Sequence, residues 1–123
     1  MIVGIGIDMI EVHRVMDKVN KDNGFTEKVF SFNEIQFCKA NRSAENYAAR
    51  FAAKEAFLKA TGLGLLLGND LCNIEVVNDA NGKPEINLSG TFKTHADKNG
   101  WSKIHVSLSH LQQVACAVVI IER

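Results

Sequence analysis

The first third of the chain changes from an apolar run to a helical repeat. Residues 2–7 are apolar apart from two glycines and predict a buried strand. Apolar side chains then recur at positions 12, 15, 16 and 19, the spacing of a helix with one face toward a core. Between Phe25 and Phe37 the pattern predicts one or two short helical turns, and Ser31 and Glu34 have the spacing of a capping box.

A longer helix is predicted in the middle of the chain, from Ser43 to Thr61. Gly62 follows it and supplies the left-handed conformation that commonly ends a helix. The inner stripe of this helix comprises Ala44, Tyr47, Ala48, Phe51, Ala52, Glu55 and Leu58. Glu55 is the charged member of that stripe, and a half-buried carboxylate needs a partner.

The second half of the chain is mainly of β type. The predicted strands span residues 72–78, 84–89, 103–109 and 114–122. Asn81-Gly82 joins the first two as a hairpin turn, residues 91–98 predict a short helix, and Gln112-Gln113 separates the last two. The pattern predicts one α+β domain over residues 1–123.

Charge and cysteine content narrow the class of protein. Lys and Arg number 14 and so do Asp and Glu, which argues against nucleic-acid binding through bulk positive charge. Cys38, Cys72 and Cys116 are odd in number and far apart, so neither a disulfide framework nor a zinc site is expected. Asp8 interrupts the apolar start well short of a membrane span. We expect a cytoplasmic protein that binds neither nucleic acid nor membrane.

Two carboxylates are the first candidates for chemistry. Asp8 lies at the end of the predicted first strand, a usual place to anchor a cation. Alternatively it caps the next helix, with Glu11 three residues later. The partner of Glu55 is either a cation shared with Asp8 or Lys59, four residues along the same helix. The residues alone leave both questions open.

Basic side chains form two groups. Arg50 and Lys54 repel each other on the central helix unless an anion lies between them; a bound phosphate would explain the pair, and solvated exposure is the alternative. The first helix carries a basic ridge opposite its apolar stripe, formed by Arg14, Lys18 and Lys21 and followed by Phe25. Such a ridge is either a solvated face or an attractive surface for an acidic partner.

Three segments together resemble the holo-acyl-carrier-protein synthase family: GIGIDMIEVHRV, RFAAKEAFLKATG, and VSLSH followed by ACAVVIIE. The resemblance spans nearly the whole chain and keeps the family's order. It implies a 4'-phosphopantetheinyl transferase fold with an antiparallel sheet and a long central helix, assembled as a homotrimer with shared sites. It also implies transfer of the 4'-phosphopantetheine arm of coenzyme A to a serine of apo acyl carrier protein, an acidic partner, in fatty acid biosynthesis.

The resemblance also assigns roles to individual residues. Asp8 and Glu55 are expected to hold Mg²⁺ and, with Lys59, to form the catalytic group. For coenzyme A, the resemblance assigns Arg42, Lys59 and His110, and the like-charge spacing of Arg50 and Lys54 adds those two residues as phosphate ligands. The residues expected to receive the carrier are Arg14, Lys18, Lys21 and Phe25. The general base stays open between Glu55 and a water molecule.

The sequence departs from the family pattern at two places. Leu111 stands where the family often has a hydroxyl residue, which bears on the nucleotide contacts. Leu65-Leu66-Leu67 extends the loop after Gly64, which bears on the coenzyme groove or the trimer packing.

Two other functions compete with the transferase. A non-catalytic coenzyme A or nucleotide-binding module would use Arg42, Arg50 and His110 for phosphate and would bind without metal. An oligomeric interaction protein would carry Glu55 and Lys59 as a surface pair and would bind no coenzyme. A transferase acting on the carrier domains of larger synthases is a third possibility, although its relatives are usually twice as long.

Overall fold

The structure, a computed structural model, describes the backbone of residues 1–123 and every side chain except that of Leu67. The helices are α1 (Val12–Val19), α2 (Phe25–Val29), α3 (Phe32–Asn41), α4 (Ala44–Thr61) and α5 (Gly90–Lys98). The strands are β1 (Ile2–Glu11), β2 (Ile74–Asn78), β3 (Pro84–Leu88), β4 (Lys103–His110) and β5 (Val114–Glu122). Short 3₁₀ turns at Gly64–Leu67 and Leu71–Asn73 link α4 to β2. The α+β prediction is confirmed.

Strand β1 and helix α4 are in direct backbone contact. The main sheet is antiparallel in the order β1-β5-β4, and α4 packs on its inner face. A Cβ added to Gly4 would lie 1.8 Å from the Ala60 carbonyl oxygen, and one on Gly6 would lie 1.9 Å from that of Ala56. Both distances are impossible for non-bonded atoms, so only glycine allows this approach. The contact fixes the first half of β1 against the C-terminal part of α4.

Helix α4 forms the centre of the core. It is buried on several sides because β1 and β5 cover one side, while α1, α3 and the β2–β3 hairpin cover others. Alanines at many of its buried positions permit this close surrounding. At its far end, Phe57 packs edge-on against Phe92 of α5 and against Trp101. No helix among the described residues is long and apolar enough to cross a membrane.

The N-terminal elements differ from the prediction at several boundaries. Strand β1 continues to Glu11, which is the residue preceding α1, so Asp8 lies inside the strand and does not cap a helix. Helix α1 ends at Val19, so Lys21 lies beyond it. Two helices, α2 and α3, occupy the region predicted as short turns. The capping box is confirmed, since Ser31 and Glu34 each accept the other's backbone N–H.

The outer face of the main sheet is apolar and exposed in a single chain. Ile5, Ile7 and Met9 of β1 are 61–68% exposed. Cys116, Val118 and Ile120 of β5 lie beside them in register on the same face. A contiguous apolar surface of this kind marks a site of interaction with another molecule.

Candidate active site

Asp8 and Lys59 form the first contact of the candidate site. The Lys59 Nζ donates a hydrogen bond to Asp8 Oδ1 and another to the Ile7 carbonyl oxygen, each at 3.0 Å. The Asp8 side chain is 15% exposed, whereas that of Lys59 is 57% exposed. The lysine therefore keeps an open side toward solvent while neutralising a partly buried carboxylate.

Glu55 lies beside this pair. Burial raises the pKa of the half-buried Glu55 carboxyl, and the negative charge of Asp8 raises it further, while Lys59 and Lys18 oppose the shift. Within the described chain, Glu55 makes no ion pair, and Lys59 bonds to Asp8 instead. The interpretation of Glu55 and Lys59 as an ordinary surface pair is therefore wrong. The two carboxylates are close enough for the charge of Asp8 to act on Glu55, and Lys59 and Lys18 compensate it in part.

This pair of carboxylates fits a magnesium ion. Mg²⁺ in enzymes usually binds one or two carboxylates together with water and substrate phosphates, without a complete protein cage. The residues that the structure describes contain no cluster of three or more His, Cys, Asp or Glu able to hold a metal. A zinc site normally needs at least three protein ligands. Asp8 and Glu55 thus match the donor set of Mg²⁺, and a cation between them would offset the charge of Asp8 that raises the pKa of Glu55.

A cavity opens next to these charges. Its volume is about 340 Å³, and it is lined by Glu55, Leu58, Lys59, Gly62, Gly64 and Leu65. The end of α4 and the following loop form its walls. Lys59 therefore lines the same cavity as the glycines of the loop. The cavity therefore brings a carboxylate and an ammonium group to the edge of one space.

Arg42 and His110 lie at the opposite end of α4. Arg42 follows α3 in a left-handed conformation, with φ of 50°, and immediately precedes the residue that caps α4. His110 Nδ1 lies 3.4 Å from Glu45 Oε2, in the first turn of α4. Ten residues separate Glu45 from Glu55, which is about 15 Å of helix. Within a single chain, Arg42 and His110 are therefore too far from Asp8 and Glu55 to share a site with them.

Arg50 is buried, which contradicts its interpretation as a solvated residue. It is 3% exposed, and its guanidinium lies over the Phe37 ring with 4.1 Å from Cζ to the ring centroid. Burial lowers the pKa of Arg50. Its Nε has no hydrogen-bond partner in the described part of the protein. The predicted contact of Arg50 with a coenzyme phosphate is therefore not supported, because the guanidinium is closed to solvent in a single chain.

The prediction that Lys54 binds coenzyme is wrong, because the residue is enclosed in the core. Its side chain is fully buried, and its ammonium donates to Glu34 Oε1 at 2.7 Å and to the carbonyl oxygens of Leu71 and Ile74. All three ammonium protons are therefore in use, and no ligand can reach them. Lys54 is also not the exposed neighbour of Arg50 that the alternative interpretation required.

Glu34 is the residue that the sequence reasoning missed. The predicted capping box accounts for a hydrogen bond to its Oε1 only. Its Oε2 accepts the backbone N–H of Val76 at 3.1 Å, a contact that the sequence did not predict. Its partner Lys54 is 20 residues away, beyond the reach of any local spacing rule. A weak signal was present, since a lysine amid the buried alanines of α4 requires an acidic partner.

Of the basic ridge of Arg14, Lys18 and Lys21, Lys18 lies close to the carboxylates. Arg14 is exposed and lies 3.8 Å from Glu11, a loose contact. The Lys18 Nζ lies 5.8 Å from the centroid of the Phe25 ring, and its charge is close enough to act on Glu55. A partner held by this ridge would therefore lie beside the candidate site.

Comparison with known proteins agrees with this geometry. A family model described as the 4'-phosphopantetheinyl transferase superfamily matches residues 4–119. The holo-[acyl-carrier-protein] synthase of Syntrophus aciditrophicus is 47% identical over 124 residues, covering 99% of this chain and 97% of the relative. The crystal structure of the Neisseria meningitidis synthase aligns with a TM-score of 0.88 at 31% identity, covering 100% of both chains.

A second solved structure includes the donor. The Helicobacter pylori holo-[acyl-carrier-protein] synthase in complex with coenzyme A aligns with a TM-score of 0.83 at 31% identity. The alignment covers 96% of this chain and 99% of that one. The similarity extends along the whole length of the chain and includes both Asp8 and the α4 segment with Glu55 and Lys59. This chain therefore belongs to the 4'-phosphopantetheinyl transferase superfamily, among the holo-[acyl-carrier-protein] synthases.

Proposed function

We propose that this protein transfers the 4'-phosphopantetheine arm of coenzyme A to the active-site serine of apo acyl carrier protein. The products are holo acyl carrier protein and adenosine 3',5'-bisphosphate. The observation that carries the proposal is the cluster of Asp8, Glu55 and Lys59 beside an open cavity, in a chain that belongs to the synthase family.

The residues of this cluster have distinct parts in the reaction. Asp8 and Glu55 would hold Mg²⁺, which when bound supplies positive charge to the pyrophosphate of coenzyme A. Lys59 would stabilise the negative charge that develops on the phosphoryl oxygens, because it lines the cavity and its side chain is 57% exposed. Loop and helix backbone would hold the donor in line with the serine, and such positioning supplies much of the rate in phosphoryl transfer.

We assign the rest of coenzyme binding to a shared site in a homotrimer. Arg42 and His110 lie toward the far end of α4 from the carboxylates, so a neighbouring copy is the natural source of these cations. The exposed apolar face formed by Ile5 and Ile7 supports association, because a second copy would remove it from water. Arg50 is 3% exposed in a single chain, so we assign the phosphate contacts to Arg42 and His110 and not to Arg50.

We assign carrier docking to the basic ridge and Phe25. The position of Lys18 near Glu55 supports this assignment, because a carrier bound there would bring its serine toward the carboxylates. An acidic carrier would be attracted by the ridge even though the protein as a whole has no net charge. We place the reaction in the cytoplasm, in fatty acid biosynthesis.

Intact-mass analysis of apo acyl carrier protein tests the reaction directly. The carrier is incubated with this protein and coenzyme A, with Mg²⁺ in one sample and with EDTA in another. A gain of one phosphopantetheine that requires Mg²⁺ is expected. Coenzyme binding without any mass gain would instead favour the non-catalytic binding module. Absence of coenzyme binding would favour the interaction protein.

Mixed oligomers test the shared site. Asp8→Asn and Arg42→Glu subunits should each be inactive alone, because each lacks one half of every site. Co-refolded mixtures should recover activity, since some interfaces then combine an intact Asp8 with an intact Arg42. Activity no greater than the sum of the two separate variants would contradict a site shared between copies.

A further inference from the structure

The strongest unexplained feature is the buried ion pair between Lys54 and Glu34. Both side chains are fully buried, and together they bond to four segments: the start of α3, helix α4, the 3₁₀ turn at Leu71–Asn73 and strand β2. A buried pair of this kind contributes little net stability compared with apolar residues of similar size. Such a pair does, however, constrain the relative orientation of the segments that it joins, because each hydrogen bond allows only a narrow range of distance and angle.

Lys54 is the immediate neighbour of Glu55. Successive residues on a helix are about 100° apart around the axis, so the rotation of α4 that satisfies the Lys54 ammonium also determines the direction of Glu55. The acceptors at Leu71 and Ile74 come from 17 and 20 residues away. Packing of alanines on the other faces of α4 is not directional and permits small rotations more easily.

The same pair fixes a wall of the cavity. The segment from Gly62 to Asn73 leaves α4 beside Lys59 and returns to β2 at Ile74. Its first part lines the cavity through Gly62, Gly64 and Leu65. Its second part accepts hydrogen bonds from Lys54 through the carbonyl oxygen of Leu71. Lys54 thereby holds the distal end of a loop whose proximal end borders the site.

We propose that Lys54 and Glu34 are a positioning pair, which sets the direction of the Glu55 carboxylate and the place of the 62–73 loop. The inference rests on the proposed function, because it gives Glu55 the role of a metal ligand. Neither Lys54 nor Glu34 touches the donor, the carrier or the metal. Their effect reaches the reaction only through Glu55 and the cavity wall.

The main test uses the double variant Glu34→Gln with Lys54→Met, which removes both buried charges and keeps similar volumes. Turnover should fall roughly 10-fold to 100-fold, as expected for a ligand displaced by a fraction of an ångström to an ångström. The KM for the carrier should stay within about twofold, because the basic ridge is untouched. The affinity for Mn²⁺ in the presence of coenzyme A, followed by electron paramagnetic resonance of free Mn²⁺, should weaken about tenfold.

Two further variants separate positioning from stability. Glu34→Gln alone keeps all three acceptors of Lys54 and should give a smaller loss of turnover and Mn²⁺ affinity, so it serves as the test if the double variant does not fold. Phe92→Leu, in the core at α5, should lower the melting temperature and leave turnover per folded molecule unchanged. If the folded Lys54 and Glu34 variants also retained wild-type turnover and Mn²⁺ affinity, the pair would be purely structural and the inference overturned.

The wild-type protein in the same experiments separates this inference from the proposed function. Wild-type transfer combined with unchanged variants would overturn the positioning role alone. Tight Mn²⁺ binding by the wild type that weakens in the variants, without transfer to any carrier, would uphold the positioning role and overturn the proposed reaction.

Discussion

Helix α4 carries two lysines, five residues apart, in ion pairs of nearly equal length. Lys54 lies 2.7 Å from Glu34 with both side chains fully buried, and Lys59 lies 3.0 Å from Asp8 with its own side chain 57% exposed. The first ammonium has three protein acceptors. The second has two and faces a cavity. Distance alone does not distinguish a structural pair from a functional one, whereas burial and unused hydrogen-bonding capacity do.

The contrast is sharpest when each lysine is replaced by methionine. Lys54→Met should lower the free energy of unfolding by about 3–5 kcal/mol, because it leaves the Glu34 carboxylate buried without a cation. Lys59→Met is the matched control and should cost about 1–2 kcal/mol, since Lys59 itself is exposed although its partner Asp8 is only 15% exposed. Urea denaturation at one fixed protein concentration measures both. Equal losses in the free energy of unfolding would show that the two ion pairs contribute equally to stability.

Glu55→Gln tests the functional side of the comparison. Turnover should fall about 10²–10³-fold, as for the loss of one group that stabilises transition-state charge. The free energy of unfolding should not fall, because no buried partner loses its counter-charge. Glu85→Gln on strand β3, which is exposed, provides the control and should retain wild-type turnover. Near-normal turnover of Glu55→Gln in saturating Mg²⁺ would disprove the metal assignment.

Arg14 extends the comparison to a cation whose proposed partner is another molecule. Arg14→Glu should raise the KM for the carrier roughly tenfold at low salt, with little change in turnover or stability, because the residue is exposed and attracts an acidic surface. The difference from wild type should shrink as salt screens the charges. Steady-state kinetics with varied carrier at two salt concentrations measure it. A selective loss of coenzyme affinity would show that the ridge has a different role.

The smallest expected effect concerns the ionisation of Glu55 without metal. Its pKa is raised in the folded protein, chiefly by burial and then by Asp8. The folded state therefore binds more protons than the unfolded state between the ordinary and the raised pKa, so the free energy of unfolding should fall as pH rises through that interval. Denaturation of wild type and Glu55→Gln in EDTA over acidic pH measures the difference. Identical pH profiles would contradict the raised pKa.

The same ionisation predicts how metal binding depends on pH. Binding requires the Glu55 carboxylate, so affinity for Mn²⁺ should decline as pH falls through a midpoint above the usual glutamate range. Affinity for Mn²⁺ should thus rise with pH, whereas the free energy of unfolding without metal should fall. The two trends are opposite because a proton on Glu55 stabilises the metal-free fold but competes with the ion. Titration of Mn²⁺ at several pH values separates the two effects.

Much of the fold was predictable from local patterns. The extent of α4 and its end at Gly62 follow from helix rules, and the structure gives Gly62 a φ of 74°. The Asn81-Gly82 hairpin and the Ser31–Glu34 capping box are likewise present. Each of these signals depends on residues close in sequence, for which backbone geometry leaves few choices. The strand ends were less predictable, since β1 continues to Glu11 without a change in local propensity.

The candidate site was predictable in part. Asp8, Glu55 and Lys59 do lie together, although Lys59 bonds to Asp8 rather than to Glu55. The placement of Lys54 failed because its acceptors come from segments 17–20 residues away, and a periodic pattern contains no information on such pairings. Arg50 was misplaced for a related reason, since α4 is surrounded by other elements and charges on its flank need not face solvent.

The glycines of β1 have a consequence for the choice of ion. Gly4 and Gly6 put the backbone of β1 directly on the backbone of α4 at Ala60 and Ala56. No side chain therefore lies between the two backbones near the segments that carry Asp8 and Glu55. Mg²⁺ holds its oxygen ligands at about 2.0–2.1 Å and Ca²⁺ at about 2.3–2.6 Å. A rigid spacing cannot expand to suit the larger radius. Ionic size, more than charge, should therefore govern which divalent cations support turnover, and Ca²⁺ should be a poor substitute.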